Sequence, residues 1–194
     1  MKRLLLLLAA LVMFTGCEIA VDFGDMNELG LPAPVLTPSR EYPTVNLPFQ
    51  FRQTNWLGRM GQGSCVHATM CSLFRWQGRF EMADWWRTHN GDGEWAEDLA
   101  AKLDKAGVRY AYTTSGDVKF LEWACSTRRG CGVTVMGGRH MVALVHFDDE
   151  WAGILDNNHT DTIYWMPREK FVAEWKNSNG WAVAVIYAPA PPLP

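Results

Sequence analysis

The spacing of hydrophobic positions along the chain changes about two thirds of the way from its start. Before that point, apolar residues recur every three or four positions, a spacing typical of amphipathic helices. This spacing predicts four helices, over residues 64–76, 80–89, 94–106 and 115–126. The short segment VRYAYTT, between the last two of these helices, predicts a strand.

Residues beyond Gly130 follow a different pattern, in which apolar positions alternate or form short runs, as they do in β-strands. Five segments have this pattern: GVTVM, HMVALVHF, WAGILD, TIYW and WAVAVIYA. One further helix, residues 168–175, follows Pro167. Helices first and a mostly antiparallel sheet afterwards predict an α+β fold.

The first residues, MKRLLLLLAALVMFTGC, combine a charged start with an apolar stretch too short to span a membrane comfortably. They resemble a bacterial lipoprotein signal, in which cleavage precedes a cysteine that is then lipidated, although Phe14 stands where leucine is usual. We therefore predict that residues 1–16 are a signal peptide. Lipid on Cys17 would then anchor the protein to a membrane of the bacterial cell envelope, on the periplasmic or extracellular face. An ordinary signal peptide is the alternative.

Two proline-rich segments flank the region of regular periodicity. Residues 17–47 predict an extended tether, and residues 189–194 predict a tail. The intervening residues 48–188 are long enough for one domain with its own hydrophobic core. The formal net charge of −3 gives no basic footprint, so nucleic acid is not an expected partner.

Four cysteines lie within the predicted domain. Cys65 and Cys71 are six residues apart on one predicted helix, about 9 Å of rise and about 240° of rotation, so they cannot pair. Cys125 and Cys131 flank the turn-like segment STRRG and are able to form a disulfide in an oxidising compartment; the sequence leaves open whether they do. No CxxC pair or histidine cluster accompanies these cysteines, so neither a metal nor another cofactor is expected.

Cys65 occupies a position where a cysteine becomes reactive. The segment GQGSCVHATM places it at the start of the first predicted helix, where unpaired N–H groups and the helix dipole stabilise a thiolate. Cys71, in the helix interior, is expected to be structural. The alternative for Cys65 is a small buried hydrophobe, since free cysteines are among the most buried residues.

A nucleophilic Cys65 needs a base, and the sequence offers His67, His89, His140, His146 and His159. His67 lies on the opposite side of the helix from Cys65, His89 ends a helix, and His159 is in a loop. His140 opens a predicted strand, at a sheet end where sites commonly form. His146 lies about 20 Å further along the same strand face. We therefore predict that His140 is the base.

The base in turn needs an orienting partner, for which Asp156 and Asn157 compete. A three-residue turn at 148–150 places Asp156 on the side of the sheet that carries His140. A turn of two or four residues favours Asn157, because a slip of one residue moves every side chain to the other face. We take Asp156 and leave Asn157 as the alternative.

Three segments carry a resemblance to a known family: QGSCVHATM, EDLAAKLDKAGVRY and RGCGVTVMGGRHMVALVHFDDEWAGILDN. They resemble the papain-like cysteine peptidases, most of all the compact bacterial branch akin to bacteriocin-leader peptidases, over roughly residues 48–188. In that family the acidic partner lies about sixteen residues after the histidine, the separation of His140 and Asp156 here. The resemblance implies a papain-like fold with Cys65 as nucleophile, His140 as base and Asp156 as its orienting residue.

The chain departs from the family where the oxyanion-hole glutamine is expected, about six residues before the cysteine. Arg59 stands at that position, Gln62 is nearer to the cysteine, and Gln53 and Asn55 are further upstream. We predict that Gln62 supplies the side-chain donor beside the N–H of Cys65.

These observations predict an exported thiol hydrolase of peptide or amide bonds that acts on a peptide or protein. Cell-wall peptide is one candidate substrate, because a lipid-anchored exported enzyme meets peptidoglycan. Two alternatives remain. One is acyl transfer by the same three residues, as in transglutaminases, and the other is an inactive surface binding protein on the same fold. The missing upstream glutamine favours the inactive protein.

Overall fold

The structure, a computed structural model, describes residues 41–56, 63–91 and 94–192. From Tyr42 onward these residues belong to one compact unit. The predicted signal peptide, Cys17, most of the predicted tether and Gln62 lie outside the described residues. Among the described helices, none has the length and hydropathy needed to cross a membrane.

Within the described residues, five α-helices and six strands follow one another in the order that the sequence predicts. The helices are α1 (Cys65–Trp76), α2 (Phe80–His89), α3 (Ala96–Lys105), α4 (Val118–Ser126) and α5 (Arg168–Asn177). The strands are β1 (Arg109–Thr113), β2 (Cys131–Val135), β3 (His140–Phe147), β4 (Trp151–Asp156), β5 (His159–Pro167) and β6 (Ala182–Tyr187). A short 3-10 helix, Phe49–Phe51, precedes α1.

The six strands form one sheet in the order β1-β6-β2-β3-β4-β5, and every neighbouring pair is antiparallel. Helices α1, α2 and α3 precede all six described strands in the chain, and α1 packs on β3. The predicted α+β class is therefore confirmed, with Cys65 at the start of a helix that lies on an antiparallel sheet.

Helices cover both faces of the sheet, and β3 is buried on both sides. Met141, Ala143 and Val145 belong to the core that includes α1, α2 and α3. Val142 and Leu144 point the other way, into the core formed with α4 and α5. Strands that are buried on both faces read as continuous apolar runs, which explains the segment MVALV.

The segment in front of α1 is held by the residue that precedes the helix. Ser64 is fully buried, and its hydroxyl donates to Oδ1 of Asn55 at 2.8 Å. The same hydroxyl accepts from the backbone N–H of Trp56 at 3.0 Å. At the other end, Gly78 has a φ of 72°, the left-handed conformation that glycine tolerates, and α1 ends just before it. The start of α1 is thus fixed by side-chain contacts with residues 55 and 56.

The last residues of the predicted tether pack on the domain. Leu47 is buried in the α1–α3 core, and the carbonyl of Asn46 accepts from Nε1 of Trp76 at 2.8 Å. Tyr42 stacks on Trp165 with 5.4 Å between ring centroids. The compact unit therefore begins about six residues before the predicted boundary at 48, because an extended proline-rich chain still places apolar side chains against a neighbouring core.

The pairing of β3 with β4 contains a bulge. Near the turn, Phe147 pairs with Ala152, which leaves a four-residue loop instead of the predicted three-residue turn. The register then shifts at Val145, so that Leu144 pairs with Ile154. A β-bulge adds one residue to one strand, and here it cancels the extra residue of the loop. Beyond the bulge, the two strands run in the register that a three-residue turn would have given.

Candidate active site

Cys65 is the first residue of α1 and is half-buried. Its sulfur lies against the His140 side chain and accepts hydrogen bonds from the backbone N–H groups of Met141 and Val66. Burial alone would raise the pKa of the thiol. The hydrogen bonds and the charge of His140 outweigh it, so the pKa of Cys65 falls below its ordinary value. The site therefore favours a thiolate.

His140 is the first residue of β3 and connects the thiol to a carboxylate. Its Nε2 donates to Oδ1 of Asp156 at 2.9 Å. Because Nε2 is engaged by Asp156, Nδ1 is the ring nitrogen left for the hydrogen bond with Cys65. Burial lowers the pKa of the imidazole, but the contacts with Asp156 and Cys65 dominate and raise it to about 9. The ring is therefore held in its charged form beside the thiolate.

Asp156 is the last residue of β4 and is half-buried. Burial raises the pKa of its carboxyl, but the hydrogen bond from His140 and a second from the N–H of Asn158, at 2.9 Å, lower it below its usual value. The bulge at Val145 places this carboxylate on the side of His140. Without the bulge, the four-residue loop would have turned Asn157 to that side.

Asn157, the alternative partner that the sequence left open, has a different place in the structure. It is only 2% exposed, and its Nδ2 lies 2.8 Å from the carbonyl oxygen of Met141. The same nitrogen lies 3.1 Å from the carbonyl oxygen of Cys65 and 3.1 Å from Oγ1 of Thr69. Asn157 thus joins the first turn of α1 to the start of β3. Its role is to hold Cys65 in position next to His140, a role that spacing along the sequence did not indicate.

The turn that precedes His140 is fixed by α5 and the residue that follows it. Residues 136–138 all have positive φ, with values of 56°, 66° and 82°. The N–H of Met136 donates to the Glu174 carboxylate at 2.8 Å, and the next N–H donates to Oγ of Ser178 at 2.9 Å. These contacts hold an unusual backbone conformation in place, which positions the histidine directly after it.

The predicted oxyanion donor, Gln62, lies outside the described residues, but the two upstream amides are placed. Gln53 is buried, and its Oε1 accepts from Nη1 of Arg75 at 2.9 Å. Its backbone N–H donates to Ser72, seven residues after Cys65 and therefore about 10 Å along the helix. Gln53 is thus away from the thiol.

Asn55 lies closer to the site than Gln53. Its Oδ1 accepts from Ser64, and its backbone N–H donates to the carbonyl of Asn157 at 2.8 Å. Its Nδ2 donates to Oδ1 of Asn158 at 3.2 Å. Asn55 therefore connects the residue before the cysteine to the residues after Asp156.

The other histidines are engaged elsewhere. Nδ1 of His67 accepts from Nε1 of Trp86 at 3.2 Å, and its Nε2 lies 3.0 Å from Glu94 Oε2, on the side of α1 away from Cys65. His89 is exposed and stacks on a tryptophan of its own helix. The remaining two, His146 and His159, contact Asp148 and Tyr164 respectively.

The other described cysteines are free thiols. Cys71 is buried in α1 and donates to the carbonyl of Ala83, and burial raises the pKa of its thiol to about 12. Its predicted structural role is consistent with this inert environment. Cys125 and Cys131 are neighbours, but both are free thiols in the structure, so the disulfide that the sequence allowed is not formed. Over the described ranges, no three His, Cys, Asp or Glu side chains are grouped so as to hold a metal ion.

Three solved structures are similar to this protein. One, described as a C39-like peptidase from Bacillus anthracis, is 16% identical with a TM-score of 0.40; the match covers 50% of this chain and 62% of that chain, less than two thirds of its length. A double glycine motif protease from an AMS/PCAT transporter, in complex with the leader peptide, is 14% identical with a TM-score of 0.46 over 73% of this chain and 94% of that one. The peptidase domain of Streptococcus mutans ComA, in complex with a small-molecule inhibitor, is 16% identical with a TM-score of 0.38 over 49% and 76%.

No family model and no curated protein matches the sequence. At identities of 14–16% and TM-scores below 0.5, the three likenesses leave the function to be inferred from the site itself.

Proposed function

We propose that the protein is a cysteine peptidase, in which Cys65, His140 and Asp156 form the catalytic triad. The observation that carries the proposal is the series of hydrogen bonds from thiol to imidazole to carboxylate, with 2.9 Å between Nε2 of His140 and Oδ1 of Asp156. A thiol in this arrangement has a lowered pKa, and the imidazole beside it is charged. A structural cysteine such as Cys71 has the opposite shift, which separates the two environments.

The proposed reaction proceeds through a thioester. The Cys65 thiolate attacks the carbonyl carbon of the peptide bond, and the charge moves to the carbonyl oxygen. The His140 imidazolium then gives its proton to the departing amine, and the C–N bond breaks. Neutral His140 next takes a proton from a water molecule, whose oxygen attacks the thioester and releases the carboxylic acid product together with the thiolate. Asp156 keeps the ring oriented through both proton transfers.

The oxyanion formed in the attack needs donors. The backbone N–H groups at the start of α1 face the end of the helix where Cys65 lies, and they are one source. Gln62, three residues before the nucleophile, is the proposed side-chain donor. Of the upstream alternatives, Gln53 is bound to Arg75 and lies away from the thiol.

The proposed site of action is the bacterial cell envelope. The proposal rests on the N-terminal sequence, in which residues 1–16 have the pattern of a lipoprotein signal peptide and Cys17 follows it. The proline-rich residues that follow Cys17 would separate the lipid from the domain. Substrates would then be peptides or proteins at that membrane, with cell-wall peptide among them.

The test is reaction of the full chain with a peptidyl epoxide and with a panel of peptides. The panel includes a double-glycine leader peptide, because one similar structure is a double glycine motif protease with its leader peptide. Wild type is expected to form one covalent adduct on Cys65 and to cleave at least one peptide. Cys65→Ala is expected to do neither, and Cys71→Ala is expected to retain the adduct.

Three outcomes would change the proposal. Incorporation of an added amine in place of hydrolysis would indicate acyl transfer. An exported protein in which Cys17 carries no lipid would remove the predicted membrane anchor, favour the ordinary signal peptide, and leave the proposed chemistry intact. A Cys65 that titrates like an ordinary thiol, with no adduct and no cleavage, would indicate a binding protein on this fold.

A further inference from the structure

The remaining two cysteines lie on the face of the sheet covered by α4 and α5. Cys125 is near the end of α4 and is half-buried, and Cys131 is the first residue of β2 and is fully buried. Cys131 pairs with Leu144 across the β2–β3 ladder. The sulfur of Cys125 lies 3.9 Å from the carbonyl oxygen of the same Leu144. Both cysteines therefore meet at one point of the sheet.

The chain between them folds back tightly. The N–H groups of Arg129 and Gly130 both donate to the carbonyl of Ala124, at 3.0 and 3.1 Å. Arg128 and Gly130 have φ values of 58° and 62°, which complete the reversal. A Cβ on Gly130 would lie 2.6 Å from the Trp76 ring and 2.8 Å from the Leu144 carbonyl oxygen, so only glycine fits there. The reversal is thus held in one geometry by its surroundings.

The two thiols are neighbours, since both cysteines lie against Leu144. The Cys125 side chain is a hydrogen-bond partner of Cys131. Burial, followed by this neighbour, raises the pKa of the Cys131 thiol well above its ordinary value. Cys71 differs, because its thiol donates to a backbone carbonyl at 3.3 Å. Of these two buried thiols, Cys71 has a backbone carbonyl as its partner and Cys131 has the thiol of Cys125.

We propose that Cys125 and Cys131 are a disulfide-forming pair that closes by exchange with a disulfide-bearing oxidant. The half-buried Cys125 reacts first: its thiolate attacks one sulfur of the oxidant, the oxidant's S–S bond breaks, and one thiol leaves. Cys131 then loses its proton and attacks the Cys125 sulfur, which releases the second thiol. Two protein thiols are oxidised to one disulfide, and one oxidant disulfide is reduced to two thiols.

The bond would tie the end of α4 to the start of β2 and close a loop of seven residues, 125–131. β2 leads through the turn at 136–138 to His140, so the tie supports the strand that precedes the candidate active site. The inference does not depend on the proposed peptidase activity, since it concerns different cysteines on the other face of the sheet.

The experiment uses oxidised glutathione as the probe on the full chain carrying Cys65→Ala, which removes the most reactive thiol. The folded protein is incubated with the probe, free thiols are blocked in denaturant at acid pH, and the protein is digested with trypsin. Trypsin cleaves after Arg128 and Arg129, so Cys125 falls in residues 120–128 and Cys131 in residues 130–139. Only a disulfide keeps these two peptides together.

The expected result is the joined peptide pair, which separates on reduction, while Cys71 is recovered as a blocked thiol. In Cys125→Ser the pair is absent, and Cys131 is recovered as a blocked thiol in most of the protein. The proposal is overturned if the folded protein gives no joined pair. It is equally overturned if the pair forms no faster in the folded protein than in urea, since the fold then does not align the two thiols.

Discussion

Strand β3 carries a histidine–aspartate pair at each of its ends. At one end, Nε2 of His140 lies 2.9 Å from Oδ1 of Asp156; at the other, Nε2 of His146 lies 2.7 Å from Oδ2 of Asp148. The two pairs have the same chemistry and nearly the same length. The two pairs differ in the second group that each imidazole ring contacts. The ring of His140 meets the Cys65 thiol, whereas the ring of His146 meets the edge of Trp165, with 5.4 Å between centroids.

The carboxylates also differ in what else they bind. Asp148 is part of a turn: its Oδ1 accepts from the N–H groups of Glu150 and Trp151 at 2.8 and 2.7 Å. Burial raises the pKa of Asp148, but these bonds and that from His146 bring it below its usual value. This pair therefore locks the β3–β4 loop. A histidine–aspartate hydrogen bond is by itself a common structural contact. The group that contacts the other side of the imidazole, a thiol at His140 and a tryptophan ring at His146, distinguishes the two pairs.

The strongest test of this comparison removes each imidazole in turn. His140→Ala is expected to slow alkylation of Cys65 by iodoacetamide about 100-fold near pH 6, because the thiolate loses its charged partner. His146→Ala is the matched control and is expected to change the rate by less than about twofold. The measurement is the rate of Cys65 labelling by mass spectrometry. Equal effects of the two variants would contradict the assignment of His140.

The His140 end of the strand should also respond to pH. The folded-state pKa of His140 is raised from 6.5 to about 9, so its charged form is favoured by folding. The resulting stabilisation is fully present below about pH 6.5, is lost as the pH rises through about 9, and amounts to about 3 kcal/mol. It is measured as the difference in unfolding free energy between wild type and His140→Ala, near pH 6 and near pH 10. A difference that does not shrink with rising pH would argue against a charged His140.

A third test concerns the residue that holds the reactive end together. Asn157→Ala is expected to lower the free energy of unfolding by about 2 kcal/mol, because it removes the buried hydrogen bonds of Nδ2 with the carbonyls of Cys65 and Met141. It should also slow Cys65 labelling, since α1 and β3 are then joined by one hydrogen bond fewer, although the bond from Thr69 Oγ1 to the Met141 carbonyl remains. Asn158→Ala, next to it and exposed, is the control and is expected to cost less than about 0.5 kcal/mol. Urea unfolding measures the stability of both variants.

The smallest expected effect comes from replacing each aspartate in turn by asparagine. Asp156→Asn is expected to slow Cys65 labelling about tenfold near pH 6, because the amide no longer favours the charged imidazole. Asp148→Asn should leave labelling unchanged and lower the free energy of unfolding by about 1 kcal/mol. If instead Asp148→Asn slows labelling and Asp156→Asn does not, the assignments of the two ends are reversed.

The parts of the fold that depend on local pattern were predictable from the sequence. The start of α1 at Cys65 and the bounds of β3 and β4 follow from the glycines, turn residues and apolar runs around them. The placement of His140 at a strand end followed in the same way, because GGR marks a turn.

Features that depend on contacts between distant segments were not predictable in this way. The bulge at Val145 does not change the pattern of the apolar run that contains it. The sequence therefore predicts a β3–β4 loop one residue shorter than the loop in the structure. The role of Asn157 depends on α1, some ninety residues earlier in the chain. The contact between Cys125 and Cys131 could be inferred as an option, but its tight reversal depends on the carbonyl of Leu144 and the ring of Trp76.

The bulge at Val145 has a consequence for how this protein can change through evolution. Loops lengthen and shorten readily among relatives, whereas catalytic geometry tolerates little movement. A loop of four residues with the bulge and a loop of three residues without it both put Asp156 beside His140. Loss of one loop residue together with the bulge therefore leaves the two side chains in register. The exposed loop at one end of β3 can therefore change by one residue, together with the bulge, without displacing the His140–Asp156 pair at the other end.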